Sequence, residues 1–568
     1  MSKIIRVNTR TGGVASEPLK KNYQYFGQRG LIAKIMTDEV NPKADPLGRE
    51  NKLIMATGIL AGTTLSTAGR MSVGGKSPLT GGIKEANVGG TAAYLLAGHD
   101  VKAIVLEDTP ANKTWKILKI DKTGKTELIP ADEYAGLGNY DLVAKLHAKY
   151  GEGVGVVSIG PAGERGYANS TVQVTDATTG HPSRAAARGG LGAVMGAKGI
   201  KAVVIEPPAT RAAFPYVNRD QFAEAAKKVV GIMTAPGPAS GFTNVGTIST
   251  VDMAGPMAFL PVHNFSGAFI NKDSLPKING AAFLAKLKEH GGRNGVPCQP
   301  GCAIRCSNIY NDAKGQYLTG ALEYETVALM GSNCDIADLD AIAAMDRMCD
   351  DLGVDTIETG ATIGVCMDAG KIPWGDAKAA IGLIKEMADG TEFGKVLGQG
   401  TAATGKKLGV KRVPVVKGQS ISGYDPRNAG VIGITYATTP MGADHTAGPV
   451  MMPNADTMAK TMRITMSGRT QVNNATCDNL MCMFGFMGAS MDPTILPNLF
   501  GGAFGGEWTM DKITQIGRDT IKMERAFNKA AGFTQADDAL PEYFYNEAAV
   551  ATGAVFDMRP ADLVDTFK

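Results

Sequence analysis

The sequence predicts an α+β protein: a β-sheet N-terminal base domain followed by two mainly α-helical domains. Two changes of pattern carry that reading. Up to Pro207-Pro208, apolar residues alternate or run in short blocks between glycine turns, as strands do; beyond it they recur every three or four residues, as on helix faces. A second punctuated stretch, Pro414 to Pro426, divides the helical part. The expected domains span 1–208, 209–412 and 413–568, since single cores stop growing beyond about 250–300 residues.

In the base, Ile4–Asn8 and Val14–Leu19 alternate around Thr11-Gly12-Gly13. Trp115–Ile120 and Glu127–Ile129 flank Asp121-Lys122-Thr123-Gly124-Lys125. Both are hairpin signals, because glycine admits the positive φ of a tight reversal. Val101–Leu106, Val154–Ile159 and Ile200–Ile205 are apolar runs of buried-strand length. The glycine-rich stretches 58–75, 81–90 and 189–199 read as loops. No repeat or low-complexity tract explains the 72 glycines, which are expected where backbone passes close to a large ligand. Gly190-Leu-Gly-Ala-Val-Met-Gly196 is not a dinucleotide fingerprint: its third glycine is one residue late, and it precedes a strand instead of following one. After residue 208, helices are expected at Arg219–Met233, Ala281–His290, Asp338–Leu352, Ala377–Met387 and Met510–Ala531.

Composition excludes several classes. A net charge of +3 without a basic stripe does not suggest nucleic acid. No apolar run approaches the roughly 20 residues of a membrane span, and the start, Met-Ser-Lys-Ile-Ile-Arg-Val-Asn, has no signal-peptide core. A cytoplasmic chain with reduced thiols is expected, where clustered cysteines serve metals or catalysis.

All eight cysteines lie between Cys298 and Cys482. Cys298, Cys302 and Cys306 form a trio on the turn Pro-Cys-Gln-Pro-Gly-Cys-Ala-Ile-Arg-Cys. Three local thiols plus a remote one suit an iron–sulfur cubane; zinc, usually held by separated pairs, and inert buried thiols are the alternatives. Cys482, among apolar neighbours that would exclude water, is an attractive fourth ligand, with Cys334, Cys349, Cys366 and Cys477 as competitors. Arg70, Arg184 and Arg188 lie in glycine-bearing segments, where guanidinium forks and N–H groups bind phosphates, or where arginines simply face solvent. His445 sits among small residues that leave room for a substrate. Glu325 precedes an apolar run, where a buried carboxylate can act as a base. Each has a structural role as its alternative.

In combination, these stretches resemble the tungsten-containing aldehyde:ferredoxin oxidoreductase family over nearly the whole chain. The resemblance is carried by Tyr25-Phe-Gly-Gln-Arg-Gly-Leu, Asp45-Pro-Leu-Gly-Arg-Glu-Asn-Lys-Leu-Ile, Gly69-Arg70 through Lys76-Ser-Pro-Leu-Thr-Gly, and Ile159-Gly-Pro-Ala-Gly-Glu. It continues through Arg188-Gly-Gly-Leu-Gly-Ala-Val-Met-Gly, Glu323-Tyr-Glu325, Cys349-Asp350, Leu352-Gly-Val-Asp355 and Tyr424-Asp-Pro-Arg. It implies a base domain holding two molybdopterins that chelate one tungsten (or molybdenum), closed over by the helical domains. Arg70, Arg184 and Arg188 would lie near the pterins, Asn87 and the Ala185 carbonyl near a magnesium bridging their phosphates, and Asp350, Val354 and Asp355 against them from the second domain. Cys298, Cys302, Cys306 and Cys482 would hold a [4Fe-4S] cluster. Glu325 and His445 would flank the metal, oxidising a small-molecule aldehyde with electrons passing to ferredoxin or a ferredoxin-like subunit. An aromatic acyl-thioester-reducing subunit and an inactive electron-transfer or scaffold protein are the competing readings.

Four departures from the family pattern stand out. The first cysteine gap has three residues instead of two. Cys477 replaces an aspartate, with Asp478 one place along, and Ala447 replaces a lysine two residues after His445. Ala344 and Arg347 replace the Glu-x-x-His pair that bridges some dimers through iron, so that iron-bridged dimer is not expected.

Overall fold

Two six-stranded sheets form the base, and each repeats the other. The structure, a computed structural model, describes residues 2–112, 114–267 and 273–568. The first sheet comprises β1 (Lys3–Asn8), β2 (Gly13–Pro18), β3 (Leu53–Thr57), β4 (Met71–Lys76), β5 (Ile83–Val88) and β6 (Val101–Glu107), in the order β2-β1-β6-β3-β4-β5. The second comprises β7 (Lys116–Ile120), β8 (Thr126–Pro130), β9 (Gly155–Ser158), β10 (Val172–Val174), β11 (Arg184–Ala186) and β12 (Ile200–Ile205), in the order β8-β7-β12-β9-β10-β11. Adding six to every strand of the first order yields the second. In each sheet the opening and closing strands pair in parallel, β1 with β6 and β7 with β12, while the other pairings are antiparallel. Helices recur in step: Gln28–Glu39 and Asn139–Tyr150 follow the opening hairpins, and Ala92–Gly98 and Leu191–Ala197 precede the closing strands.

The sheets share one core, with Val7, Met55, Val73 and Ile104 from the first meeting Leu118, Val157, Val172 and Val203 from the second. The helix Gln28–Glu39 covers the other face of the first sheet through Leu31, Ile32 and Ile35. Asn139–Tyr150 covers the second through Leu142, Val143 and Leu146. Burial on both faces is why these strands read as unbroken apolar runs. The edge strands β5 and β11 pack against each other.

Both expected hairpins form, but the three glycine stretches are not simply loops. They contain β4, β5 and the helix Leu191–Ala197. Close packing is the reason: a Cβ on Gly74 in β4 would stand 2.7 Å from Ile32 Cγ2 and from the Lys84 carbonyl oxygen. Glycine within a strand there marks the approach of a helix.

The expected helices appear as Arg219–Thr234, Gly280–Glu289, Leu339–Leu352, Ala377–Asp389 and Met510–Ala531. The cysteine trio does not sit on a helix. It occupies the connection between β13 (Arg293–Val296) and β14 (Ser307–Asn311), which pair with β15 (Tyr317–Gly320) in a small antiparallel sheet. Helices Lys460–Leu480 and Met510–Ala531 pack on each other and on Gln28–Glu39, docking the last segment onto the base. A bridge between Ser170 and Val354 ties in the middle segment. Among the described residues no helix is long and apolar enough to cross a membrane.

Candidate active site

The four cysteines meet where the base abuts the helical segments. Gly90 N donates to the Cys298 carbonyl at 2.7 Å and Cys482 N to that of Thr67 at 3.0 Å. A Cβ on Gly89 would lie 2.9 Å from the Cys298 carbonyl oxygen and 3.3 Å from its sulfur, so only glycine lets β5 run flush against this loop. Cys298 and Cys302 are buried, Cys306 and Cys482 half-buried, and all eight cysteines carry free thiols. Cys302 hydrogen-bonds Cys298, and that bond, with Arg70 and Arg184 nearby, lowers the Cys298 pKa to about 6. The same bond pushes Cys302 up, and burial does so for Cys306 and Cys482. Arg70 Nη1 lies 3.8 Å from Cys298 Sγ. Burial opposes the guanidinium's charge, but the thiols, Cys482 foremost, more than offset it. Among the described residues no three His, Cys, Asp or Glu side chains converge tightly enough for a single metal ion. Of the competitors, Cys334, Cys349 and Cys366 lie in the main helical core, and Cys477 Sγ faces the Met481 carbonyl at 3.4 Å.

Glu325 and His445 form the other end. Glu325 lies in the short helix Tyr324–Thr326, which widens into a fully buried π-helical turn at Val327–Gly331, a distortion common at functional sites. Its Oε2 accepts from Gly423 N at 2.8 Å. Its Oε1 stands 3.5 Å from His445 Nε2 and has no hydrogen-bond partner. His445 opens a 3-10 turn capped by Asp444, whose Oδ1 accepts from Thr446 N at 3.0 Å. Lys84 reaches from β5 to Asp444 Oδ2 at 2.7 Å. Burial alone would raise the Asp444 pKa, but Lys84 and Arg188 hold it well below the carboxylate range. His445 Nδ1 is 3.0 Å from Ser422 Oγ, which accepts from Arg188 Nη1 at 3.1 Å. Ser422 thus links Arg188 to the imidazole at Nδ1 and leaves Nε2 to face Glu325.

The three arginines divide between the ends. Arg184, on β11, pairs with Asp176 at 2.7 Å and acts on Cys298. Arg188 instead binds the Ser420 and Ala443 carbonyls at 2.5 and 2.6 Å and faces Asp355 at 3.4 Å. Asn87 and Ala185 occupy equivalent places in the two repeats, opposite Ser72 and Gln173. The Asn87 oxygen accepts from Arg70 Nε. Asp350 accepts from Gln173 at 3.2 Å, and burial drives its pKa well up. Asp355 caps the helix Thr356–Asp368, accepting from Ile357 and Glu358 N, each at 3.1 Å.

Several buried atoms beside these residues lack partners: Ser170 Oγ, Gln173 Oε1, Ser183 Oγ and Gln299 Oε1. Each such atom costs about 1–3 kcal/mol when left unpaired, so together they suit a large polar ligand along this seam.

This is a duplicated β base holding a thiol quartet and an enclosed carboxylate–imidazole pair at its junction with helical segments. The family model for the aldehyde ferredoxin oxidoreductase N-terminal domain matches residues 4–207, and that for domains 2 and 3 matches 224–566. A tungsten-containing aldehyde ferredoxin oxidoreductase of Pyrococcus furiosus is 32% identical over 96% of this chain and 91% of its own length. One from Thermococcus kodakarensis is 30% identical over the same shares. An aliphatic sulfonate oxidoreductase, WOR-like subunit, of Pyrococcus furiosus is 24% identical over 76% of the chain. The active-site complex BamBC of benzoyl-coenzyme A reductase, solved with 1,5-dienoyl-CoA, shares the fold with a TM-score of 0.82 at 16% identity, covering 100% of this chain and 93% of that one. The chain belongs to the aldehyde ferredoxin oxidoreductase family and is an oxidoreductase.

Sequence reasoning missed Ser422, Asp444 and Lys84. Asp444 had a signal, since an acid one residue before a histidine in a small-residue turn is a cap candidate. Ser422 and Lys84 had none, because their partners lie 23 and 360 residues away.

Proposed function

We propose that the protein oxidises an aldehyde and water to a carboxylic acid, using Glu325 as base and His445 as hydrogen-bond donor. The observation that carries this reading is the facing pair: Glu325 Oε1, which makes no hydrogen bond, and His445 Nε2, 3.5 Å apart. An oxygen held between them meets an acceptor and a donor together. Glu325 would take the proton of the water that adds to the aldehyde carbon, and His445 would hold the carbonyl oxygen as charge gathers on it. Ser422, held by Arg188, would donate to Nδ1 and so keep the imidazole proton on Nε2. Dry walls of Tyr324 and Tyr424, stacked with ring centroids 4.9 Å apart, keep bulk water from competing.

A tungsten (or molybdenum) bis-molybdopterin and a [4Fe-4S] cluster would, when bound, supply the two-electron oxidation and the one-electron exit. The residues suit them. Arg70 and Arg184 offer guanidinium forks beside the thiols, and the unpartnered seam atoms extend that polar surface. The duplicated sheets favour two similar pterins, with Asn87 and Ala185 on abutting edge strands suited to a shared magnesium. Asp350, Val354 and Asp355 approach from the middle segment and Arg188 from the base. Cys298, Cys302, Cys306 and Cys482 supply thiolates spread too widely for one zinc. Ferredoxin or a ferredoxin-like subunit would accept electrons at this end. The domain limits after residues 208 and 412 belong to the same reading; the first falls between the segments matched by the two family models.

The test is Glu325→Gln in anaerobically purified holoenzyme, assayed with aldehydes and a viologen dye. Loss of a positioned base lowers the rate by about 10²–10⁴-fold with metal content unchanged. Full activity at normal metal content would remove the base from the mechanism.

A further inference from the structure

We propose that Tyr436 is a third substrate-contacting group of this site, its hydroxyl donating to the oxygen of the aldehyde, and of the acid it becomes, beside His445. The inference rests on the reading of Glu325 and His445 above.

The helix Val431–Thr438 is buried along its whole length and packs against both the His445 turn and the helix Lys460–Leu480. Its other polar side chains are paired. Thr435 Oγ1 donates to the Gly448 carbonyl at 3.1 Å and lies 2.8 Å from Ser467 Oγ, and Thr438 Oγ1 donates to the Ile434 carbonyl at 2.7 Å. Tyr436 is the exception. It is 0% exposed, and its hydroxyl has no hydrogen-bond partner. The large majority of buried side-chain polar atoms in folded proteins are bonded, and an unpaired one needs an explanation.

Location supplies it. Besides Tyr436, Tyr543 is the other tyrosine among the described residues with a buried, unpaired hydroxyl, and it sits beneath Arg412, the guanidinium 4.8 Å from its ring centroid. The groups acting on Tyr436 are Glu325 first, then Tyr424, Arg188 and Asp444, all members of the constellation at the Glu325 end. Tyr324, the neighbouring tyrosine, already gives its hydroxyl to the Gly423 carbonyl at 2.6 Å. Burial above all, with Glu325 nearby, pushes the Tyr436 pKa well up, so the phenol keeps the proton it would donate to a substrate oxygen. Glu325 Oε1 is the matching unpartnered acceptor. When water adds to an aldehyde, negative charge moves onto the carbonyl oxygen; two preorganised donors there stabilise it better than one. The step transfers no atom from the tyrosine and needs no further reactant.

The experiment is Tyr436→Phe in the holoenzyme, beside Glu325→Gln, at matched metal and iron content. Loss of one such donor is expected to lower kcat by about 10²-fold and KM less, and to weaken acetate and benzoate binding measured by calorimetry. The melting temperature should hold or rise, because phenylalanine removes an unpaired buried hydroxyl. Unchanged kcat with unchanged carboxylate binding would overturn the proposal. So would a fall in melting temperature that accounts for the lost activity, since that marks a structural hydroxyl. If Glu325→Gln stays fully active, the base assignment fails instead. The tyrosine is then judged on carboxylate binding alone, unchanged affinity in Tyr436→Phe counting against it.

Discussion

At the thiol end, three of the four cysteines arrive on one connection between β13 and β14, and Cys482 joins from the start of the helix Met483–Ser490. At the other end, Glu325, Ser422 and His445 come from three separate stretches, held by Arg188 and Lys84 from the base. One is a local device completed by a single long-range contact; the other exists only once all three segments have docked. The thiol end should therefore fail by losing its ligand set, and the Glu325 end by losing orientation while the fold persists.

The largest effect tests the local device. Cys482→Ala leaves the trio intact but removes the thiol that acts most strongly on Arg70. We expect loss of most bound iron and of the cluster's EPR signal, with aldehyde-dependent dye reduction abolished. Retention of a full iron complement would show that a competitor such as Cys477 completes the set, breaking the contrast between the ends.

Next in size is the orientation of His445. In Ser422→Ala, Nδ1 loses its hydroxyl partner and Arg188 Nη1 an acceptor, while Glu325 is untouched. The imidazole is then free to turn its proton to Nδ1, away from Glu325. We expect kcat to drop by about 10–100-fold, with iron content and the EPR signal unchanged. A simultaneous loss of iron would mean that the two ends are not separable.

How much of this was legible depends on range. The hairpins β1–β2 and β7–β8, and the five helices, follow from local periodicity and turn chemistry, so they read directly. The duplication of the base did not, because its repeats share topology without an obvious sequence repeat: β4 has Ser72 where β10 has Gln173, and continues into Gly74 and Gly75 where the second repeat has Thr175 and Asp176. Glycine there answers to a helix packed overhead, which no window of sequence displays. The trio was visible as a pattern and Cys482 as an attractive partner among several, but the choice among them came only with the family resemblance. Arg188 was read together with Arg70 and Arg184, but its guanidinium bonds Ser420, Ser422 and Ala443 at the Glu325 end while theirs lie beside the thiols. Spacing announces an arginine in a glycine segment without saying which way the segment turns.

The smallest effect concerns the strand that joins both ends. β5 carries Lys84 toward Asp444 on one face and Asn87 toward Arg70 on the other, with Glu85 sharing the Asn87 face. Ser72 bonds both Glu85 and Asn87. Burial first, and the neighbouring Asp478 second, push the Glu85 pKa up to about 8. A carboxyl whose folded pKa lies above its unfolded one binds more protons in the fold, so its contribution is full below the unfolded pKa of 4.5 and is lost as pH rises toward 8. Stability of the wild-type protein should therefore slope downward between about pH 5 and 8. Glu85→Gln, which keeps the shape without the charge, should flatten that slope by up to about 1 kcal/mol per pH unit in denaturant titrations. An unchanged slope would place the titrating acid elsewhere in the buried group, with Asp478 on the Arg29–Glu524 pair next to be tested. If Glu85→Gln also moved the cluster's EPR signal but left aldehyde binding alone, β5 would be coupled to the thiol end only.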